Sequence, residues 1–527
     1  MIAGRLPVIA AMVVSLAVGL TAWRARTAAV GGSDSACYAL MTRAYAEGRW
    51  QPDSPLALAA PWPDATRVAA PGGFLPSATR PGAAVPVCAP GYSLLVAPLV
   101  ALAGLDAVHV VPPLAAALLV WLTFVVTRRL APGWAGVGAA LLVATSPVVL
   151  FMAVQPMNDI TTGAVWTGVA ALVLAGRPLA TGALIGVGLL VRPNLAPAAV
   201  VAVLGLGVMA AQGPVTGRLG RALRAMTGAS LAAAPGVLAV LALNWSLYGS
   251  PAQSGYGSLD VLFAWAHVPA NLQRYGQTWL ATSTPIVVLA FVAPFVVASA
   301  ARRGAWVVSA LAAGLSVVYL AYRPFPEWWY LRFLLPAVVL GHVLAASALA
   351  ALAARLGGRA PVAVAAAVVL VMAVVGARRP EAAEAFGLAR LESRFPLTSQ
   401  VVADRLPPNV VLITGWDSGA VRFQPGREVV MWDALDPAWL DRAIDWLQTH
   451  GRTPAIVLES WEAEAFRARF AGAVHGGLDW PPRYDLDRRV QIYLPEDRAR
   501  YLAGETVPTA RVFAARPGGG VYRGPLE

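Results

Sequence analysis

From residue 7 to residue 377 the chain repeats one pattern, a run of apolar residues followed by a short polar connection. At about 17 to 25 residues, such runs are long enough to carry a helix across the hydrocarbon core of a bilayer. The pattern predicts eleven spans, at 7–29, 108–127, 134–153, 160–176, 179–191, 194–211, 227–247, 284–301, 305–322, 333–354 and 361–377. Two stretches break the rhythm. Residues 92–105 form a short apolar run, suited to an interfacial or re-entrant helix rather than a crossing. Residues 179–211 are too long for one span and are interrupted by Arg192-Pro193-Asn194, which predicts a hairpin of two short helices with Arg192 at its outer tip. One continuous helix would hold the Arg192 guanidinium in hydrocarbon, at a cost of at least ~2.5 kcal/mol.

The first outer connection, 31–91, is long and rich in Pro and Gly. Within it Tyr38, Met41 and Tyr45 share one helical face beside Leu40 and Ala44, with Ser33 or Asp34 placed as N-cap and Gly48 as the stop. Such a helix is expected to lie along the membrane surface. Beyond Pro380 no run of span length remains. Short apolar strands at 410–414, 429–432 and 455–458 alternate with helices at 436–448 and 461–470, a small α/β module. The organisation read from the sequence is therefore a membrane domain at 1–379 and a soluble domain at 380–527.

Composition agrees with the pattern. The 527 residues are 58% hydrophobic and 13% charged, with a mean hydropathy of +0.62, which excludes a soluble globular protein and defines a mainly α polytopic membrane protein. The net charge of +12 comes from 40 basic residues, all of them Arg. With the N-terminus inside, the inner connections hold Arg5, Arg128, Arg129, Arg177, Arg218, Arg221, Arg224, Arg302, Arg303, Arg355 and Arg359 and no acid. The arginines thus set orientation, and no basic patch for nucleic acid is left. The run at 9–22 reads as a retained first span rather than a cleaved signal peptide.

Acids are scarce before residue 380: Asp34, Glu47, Asp53, Asp64, Asp106, Asp159, Asp260 and Glu327 are all of them, and this topology puts every one outside. An odd number of crossings also puts the 380–527 module on that outer side. Both cysteines, Cys37 and Cys88, fall in the first outer connection. They are either two thiols or a disulfide, which would close a loop of about fifty residues and contribute roughly 4 kcal/mol by chain entropy.

Asp34 and Asp159 each follow an apolar run. Two carboxylates converging over the mouth of a helix bundle suit a general base with a second acid that orients the acceptor or shares a divalent cation; the structural alternative is that each is an N-cap. Arg192 and Arg332 offer planar donor forks that fit a phosphate, against the alternative of interfacial snorkelling. Arg332 ends the aromatic stretch Pro324-Phe325-Pro326-Glu327-Trp328-Trp329-Tyr330-Leu331-Arg332, where Glu327 adds a carboxylate ahead of a span. Tyr256 lies in the turn-rich stretch 254–257, which could shape a sugar pocket. There is no Walker A loop, no His/Cys metal cluster and no Gly-x-Gly-x-x-Gly after a strand. Gly415-Trp416-Asp417-Ser418-Gly419 follows a strand but lacks that last pattern. Without a nucleotide site, a transferase here would draw its donor from the lipid phase.

Taken in order, Ser33-Asp34 with Tyr38, Ala44 and Gly48, then Pro90-Gly91-Tyr92, Gln155-Pro156-Met157-Asn158-Asp159, Leu190-Val191-Arg192-Pro193-Asn194, Tyr248-Gly249-Ser250-Pro251 and Tyr330-Leu331-Arg332-Phe333-Leu334-Leu335-Pro336 resemble the membrane glycosyltransferases of the GT-C fold, in particular the bacterial relatives of protein O-mannosyltransferases and of the lipid A aminoarabinose transferase. The resemblance covers the chain to about Arg379. It implies a polyprenyl-phosphate sugar donor, a lipid, glycan or protein acceptor, and a bacterial inner membrane location. It also implies Asp34 as base or acceptor-site carboxylate, Asp159 as the second acid, and an inverting transfer in which Arg192 or Arg332 stabilises the departing lipid phosphate. Tyr38, Asn158, Tyr256 and Glu327 join the arginines as expected substrate-binding residues. Some members of the family need a divalent cation and others do not. The terminal module resembles domains that some members use to bind acceptors. Two other readings compete, a transporter or flippase for a lipid-linked or small polar substrate and an inactive scaffold. A transporter would show broken helices in corresponding positions of two repeats, and only one broken segment, at Arg192-Pro193, is present.

Overall fold

All eleven apolar segments are helical in the computed structural model, which describes residues 2–212, 214–257 and 262–514. Asp260, one of the scarce acids, lies outside the described residues. Among the described residues seven helices are long and apolar enough to cross a membrane, Arg5–Ala25, Leu105–Thr127, Pro193–Ala210, Arg218–Tyr248, Ser299–Leu320, Trp328–Leu356 and Arg359–Ala377. The pair Gly133–Ala144 and Pro147–Ala153, bent by 64° where Pro147 cannot continue the hydrogen-bond ladder, is either an eighth, broken span or a re-entrant loop. Of the eleven expected spans, seven or eight therefore have the length of a full crossing. The other three segments are shorter helices, Asp159–Leu174, Pro178–Val191 and Pro285–Val296. Nearly the whole of Asp159–Leu174 is buried among its neighbours, so its length need not match the bilayer.

The chain forms two compact units. The first comprises Met1–Arg26, His109–Leu243 and Tyr256–Leu388. Its core runs continuously through the bundle, with Leu119, Phe124, Trp166, Leu206, Leu315 and Leu340 among its buried members.

The second unit comprises Thr27–Val108, Asn244–Gly255 and Ala389–Glu527. Its centre is a six-stranded sheet of order β4-β3-β5-β7-β6-β8, with β3 Val410–Thr414, β4 Glu428–Met431, β5 Thr453–Glu459, β6 Tyr484–Leu486, β7 Val490–Tyr493 and β8 Ala510–Val512. The first three strands are parallel, with Leu412 opposite both Val429 and Ala455. Because side chains alternate along a strand, one sheet face presents Val411, Ile413, Val430, Ile456 and Leu458, and the other Leu412, Val429, Ala455 and Val457. Helix Leu440–Thr449 covers the first face through Leu440, Ala443, Ile444 and Leu447. Helix Arg394–Arg405 covers the second through Leu397, Val401 and Val402.

The first face is completed from far away in sequence. Leu56, Trp62 and Val68, all from the 31–91 connection, are buried in the same cluster. The sheet module and that connection therefore share a core, which the sequence reading kept apart. The same connection contains a two-stranded ribbon, β1 Phe74–Pro76 and β2 Ala84–Pro86.

The helix carrying Asp34 spans Gly32–Ala46, and the expectation of a surface-lying helix is corrected. Residues from Ser35 through Thr42, and Ala44, are all buried. The helix packs within the second unit against Pro90–Ala103 and Ser418–Phe423. Close approach to the latter needs a glycine, since a side-chain carbon at Gly419 would overlap Ala36 Cβ. Cys37 and Cys88 are joined by a disulfide, which ties this helix to the start of Pro90–Ala103.

Candidate functional site

In the first unit the broken segment and the second acid meet. Pro193 removes a helix donor and pushes the preceding residue out of the α region, so Arg192 leaves the Pro178–Val191 helix with φ −151° and ψ 87°. Its side chain turns inward. Arg192 Nη2 donates to Asp159 Oδ1 at 2.7 Å, and the two residues are 9% and 1% exposed. Arg192 thus stands at the break between two short helices, as expected from the sequence, and is a buried partner in an ion pair. One residue earlier on both strands of chain, Asn158 Nδ2 donates to the Val191 carbonyl at 2.8 Å. That bond fixes the backbone on which both charged groups stand. Asn158 is the N-cap residue of Asp159–Leu174 without a side-chain capping bond, so neither it nor Asp159 serves as the capping side chain.

Arg332 joins the same cluster from the 3₁₀ turn Trp328–Leu334 and is 8% exposed. Its guanidinium lies 5.3 Å from the ring centres of both Tyr330 and Phe333, and Nη1 is 3.4 Å from Met157 Sδ. The Arg192 guanidinium lies 5.8 Å from the Tyr319 ring and 5.9 Å from that of Phe333. Phe333 is therefore within cation–π range of both arginines. It also stacks on Tyr319 with an interplanar angle of 8°, and the Tyr319 hydroxyl accepts from Asn194 Nδ2 at 3.0 Å. Tyr319, Phe333 and Asn194 were not among the expected site residues. A tyrosine or phenylalanine in an apolar run reads as core, and only Asn194, next to Arg192-Pro193, carried a signal.

The described contacts bring two guanidiniums together with one carboxylate. Asp159 Oδ2 and Asn158 Oδ1 are buried and accept no hydrogen bond among the described residues. A site with two guanidiniums, aromatic walls and spare acceptor oxygens suits a phosphate-bearing ligand that also presents hydroxyl groups.

The remaining expected site residues are placed as follows. Asp34 is exposed in the first turn of Gly32–Ala46, whose N-cap is Gly31, so it is not the capping residue. It belongs to the second unit and Asp159 to the first. Tyr38 is buried, edge-on to Tyr92 with ring centres 5.2 Å apart. Tyr256 and Glu327 are exposed in the first unit. Among the described residues no three His, Cys, Asp or Glu side chains gather as a metal site.

These features define a polytopic membrane protein of the GT-C fold. The solved structures bear this out. ArnT from Cupriavidus metallidurans, bound to undecaprenyl phosphate, is similar with a TM-score of 0.55 and 16% identity over 88% of this chain and 94% of that one. The Archaeoglobus fulgidus oligosaccharyltransferase tethered with an acceptor peptide gives 0.50 and 11% over 89% and 71%. Arabinofuranosyltransferase AftD from Mycobacteria gives 0.51 and 15% over 98% of this chain and 46% of that one. Neither protein-family models nor curated sequences match the chain.

Proposed function

We propose that the protein is an integral-membrane glycosyltransferase that moves a sugar from a polyprenyl-phosphate donor to an acceptor hydroxyl on the extracytoplasmic face. The observation that carries this reading is the buried Asp159–Arg192 pair with Arg332 beside it, in a fold seen in ArnT with undecaprenyl phosphate. Arg192 and Arg332 receive the donor phosphate. Asp159 is a positioning residue: it holds the Arg192 fork, and its second oxygen is available to a donor hydroxyl. Asp34 is the base. The acceptor oxygen attacks the anomeric carbon, its proton passes to Asp34, and the bond from that carbon to the phosphate oxygen breaks with its electrons retained by the lipid phosphate. The two guanidiniums stabilise the charge that develops there. The outward-facing site is supported by the acid-free, arginine-bearing inner connections.

The test is transfer by purified protein in detergent from a panel of polyprenyl-phosphate sugars, with and without chelator. Wild type should transfer one of them. Asp34→Asn should lose turnover while folding normally, and Arg332→Ala should weaken donor use by about a hundredfold, the scale of losing a charge-assisted contact to a developing anion. Wild-type protein that translocates such lipids without transferring the sugar would instead make it a flippase.

A further inference from the structure

The sheet module has a strand arrangement that the donor chemistry does not use. Its parallel strands run in the order β4-β3-β5, and the connections leaving β3 and β4 lie on opposite faces: Val421 of Ser418–Phe423 packs with Leu412, and Ile444 of Leu440–Thr449 with Ile413. The strand order therefore reverses between β3 and β5. Outside the carboxyl ends of such a strand pair, open α/β sheets form a crevice that binds ligands.

Here the two strand ends deliver Trp416 and Trp461, 43% and 61% exposed, with ring centres 5.8 Å apart and planes at 77°. Behind them the loop is braced. Glu462 accepts from the backbone N–H groups of Trp416 at 3.1 Å and Glu459 at 2.9 Å, and from Trp432 Nε1 at 3.1 Å. Gly415 is required there, because a side-chain carbon would overlap the Glu462 carboxylate. Between the strand ends Asp417 is fully buried, with the Thr398 hydroxyl beside it. Burial, then the neighbouring Glu459 and Glu462, pushes the Asp417 carboxyl well above the usual range. A neutral carboxylic acid can both give and take a hydrogen bond, as a sugar hydroxyl requires.

The first turn of the Asp34 helix is seated on the same loop. Gly32, with φ +64°, directs its missing side chain at the Trp416 ring, 3.6 Å away, and Gly72 N–H donates to Ser418 Oγ at 3.0 Å. Exposed indoles next to a braced loop make a platform for the apolar face of a sugar ring, and the nearby Arg394 is already engaged by Glu459, which makes a neutral sugar a better fit than an anionic one.

We propose that Trp416 and Trp461 form an acceptor subsite for a neutral carbohydrate, so that the acceptor is a glycan whose hydroxyl is presented to Asp34. This rests on the transferase reading and names the acceptor class within it. The probe is a panel of short neutral manno-, galacto- and arabino-oligosaccharides, offered to full-length protein in detergent by saturation-transfer NMR and, with the active donor, as acceptors. Wild type should bind at least one. Trp416→Ala and Trp461→Ala should each weaken that binding about tenfold and raise the acceptor KM by the same factor with kcat nearly unchanged. Trp416→Phe, which keeps an aromatic face, should recover most of it and guards against a folding defect in the alanine variant. Asp34→Asn should bind the oligosaccharide normally and not turn over. Absence of binding to every oligosaccharide, or an unchanged acceptor KM in both alanine variants, overturns the subsite. Loss of transfer in wild type with binding intact would sink the transferase reading instead.

Discussion

At the scale of single residues the chemistry concentrates in a few buried charges. Removing one partner of a buried ion pair leaves the other uncompensated and costs about 3–5 kcal/mol. Asp159→Asn or Arg192→Met alone should therefore lower thermal stability in detergent markedly. The double variant Asp159→Leu with Arg192→Met should recover most of the loss and still fail to transfer sugar. Recovery of both would show that the pair is scaffold only. Asp417 gives a pH prediction. Because its folded carboxyl is raised mainly by burial, the native state holds a proton that the unfolded chain releases from about pH 4 upward. Its stabilising contribution is full below the unfolded value and is lost as pH rises through the folded one. Asp417→Asn should flatten that part of the stability curve, and an unchanged curve would refute the assignment. The arginines of the site were legible because a guanidinium among apolar residues needs a reason. The Asp159–Arg192 bond was not, since nothing local links residues that far apart in the chain.

At the scale of elements, the Gly32–Ala46 helix shows how a correct periodicity can mislead. Tyr38, Met41 and Tyr45 do recur at helical spacing, but the remaining residues are mostly small, and small residues permit packing on every side as readily as exposure. What decides is the neighbour, and Ser418–Phe423 lies more than 370 residues away in the chain. Gly419→Val should force this contact apart and cost the second unit roughly 1–3 kcal/mol, read as earlier unfolding in a denaturant series. Cys37→Ser with Cys88→Ser should cost about 2–5 kcal/mol by the same measure, with a smaller loss if the packed helix alone holds the region. Strand β3 and the cores of β4 and β5 were read from short apolar runs. Strands β6 to β8 were not, because at three or four residues each they lack the length to show alternation.

At the scale of the whole molecule, the hydropathy pattern placed eleven apolar segments that are helices among the described residues, and only seven or eight of them have the length of a full crossing. The reason is physical: a buried helix in a large bundle is as apolar as one that faces lipid, so composition cannot tell Asp159–Leu174 from a full span. Orientation rests on the arginines, and the chain's own chemistry makes it easy to check, because no free cysteine is present among the described residues. A cysteine placed at the exposed Glu464 should react with an impermeant maleimide in intact cells, and one at the exposed Arg129 only after lysis. The reverse pattern would invert the proposed topology.

The core shared by Leu56, Trp62 and Val68 with the sheet also sets a schedule for biogenesis. A ribosome delivers the 31–91 segment early and the sheet last, so a nascent chain must carry three large apolar side chains without their partners through most of translation. The Cys37–Cys88 bond can form in the interval, together with the β1–β2 ribbon and the packing of Gly32–Ala46 on Pro90–Ala103, and it would keep that half-built segment compact until the sheet emerges. A gene truncated after Leu388 should accordingly yield a chain cleared by membrane quality-control proteases, and supplying the missing piece as a separate polypeptide should rescue it.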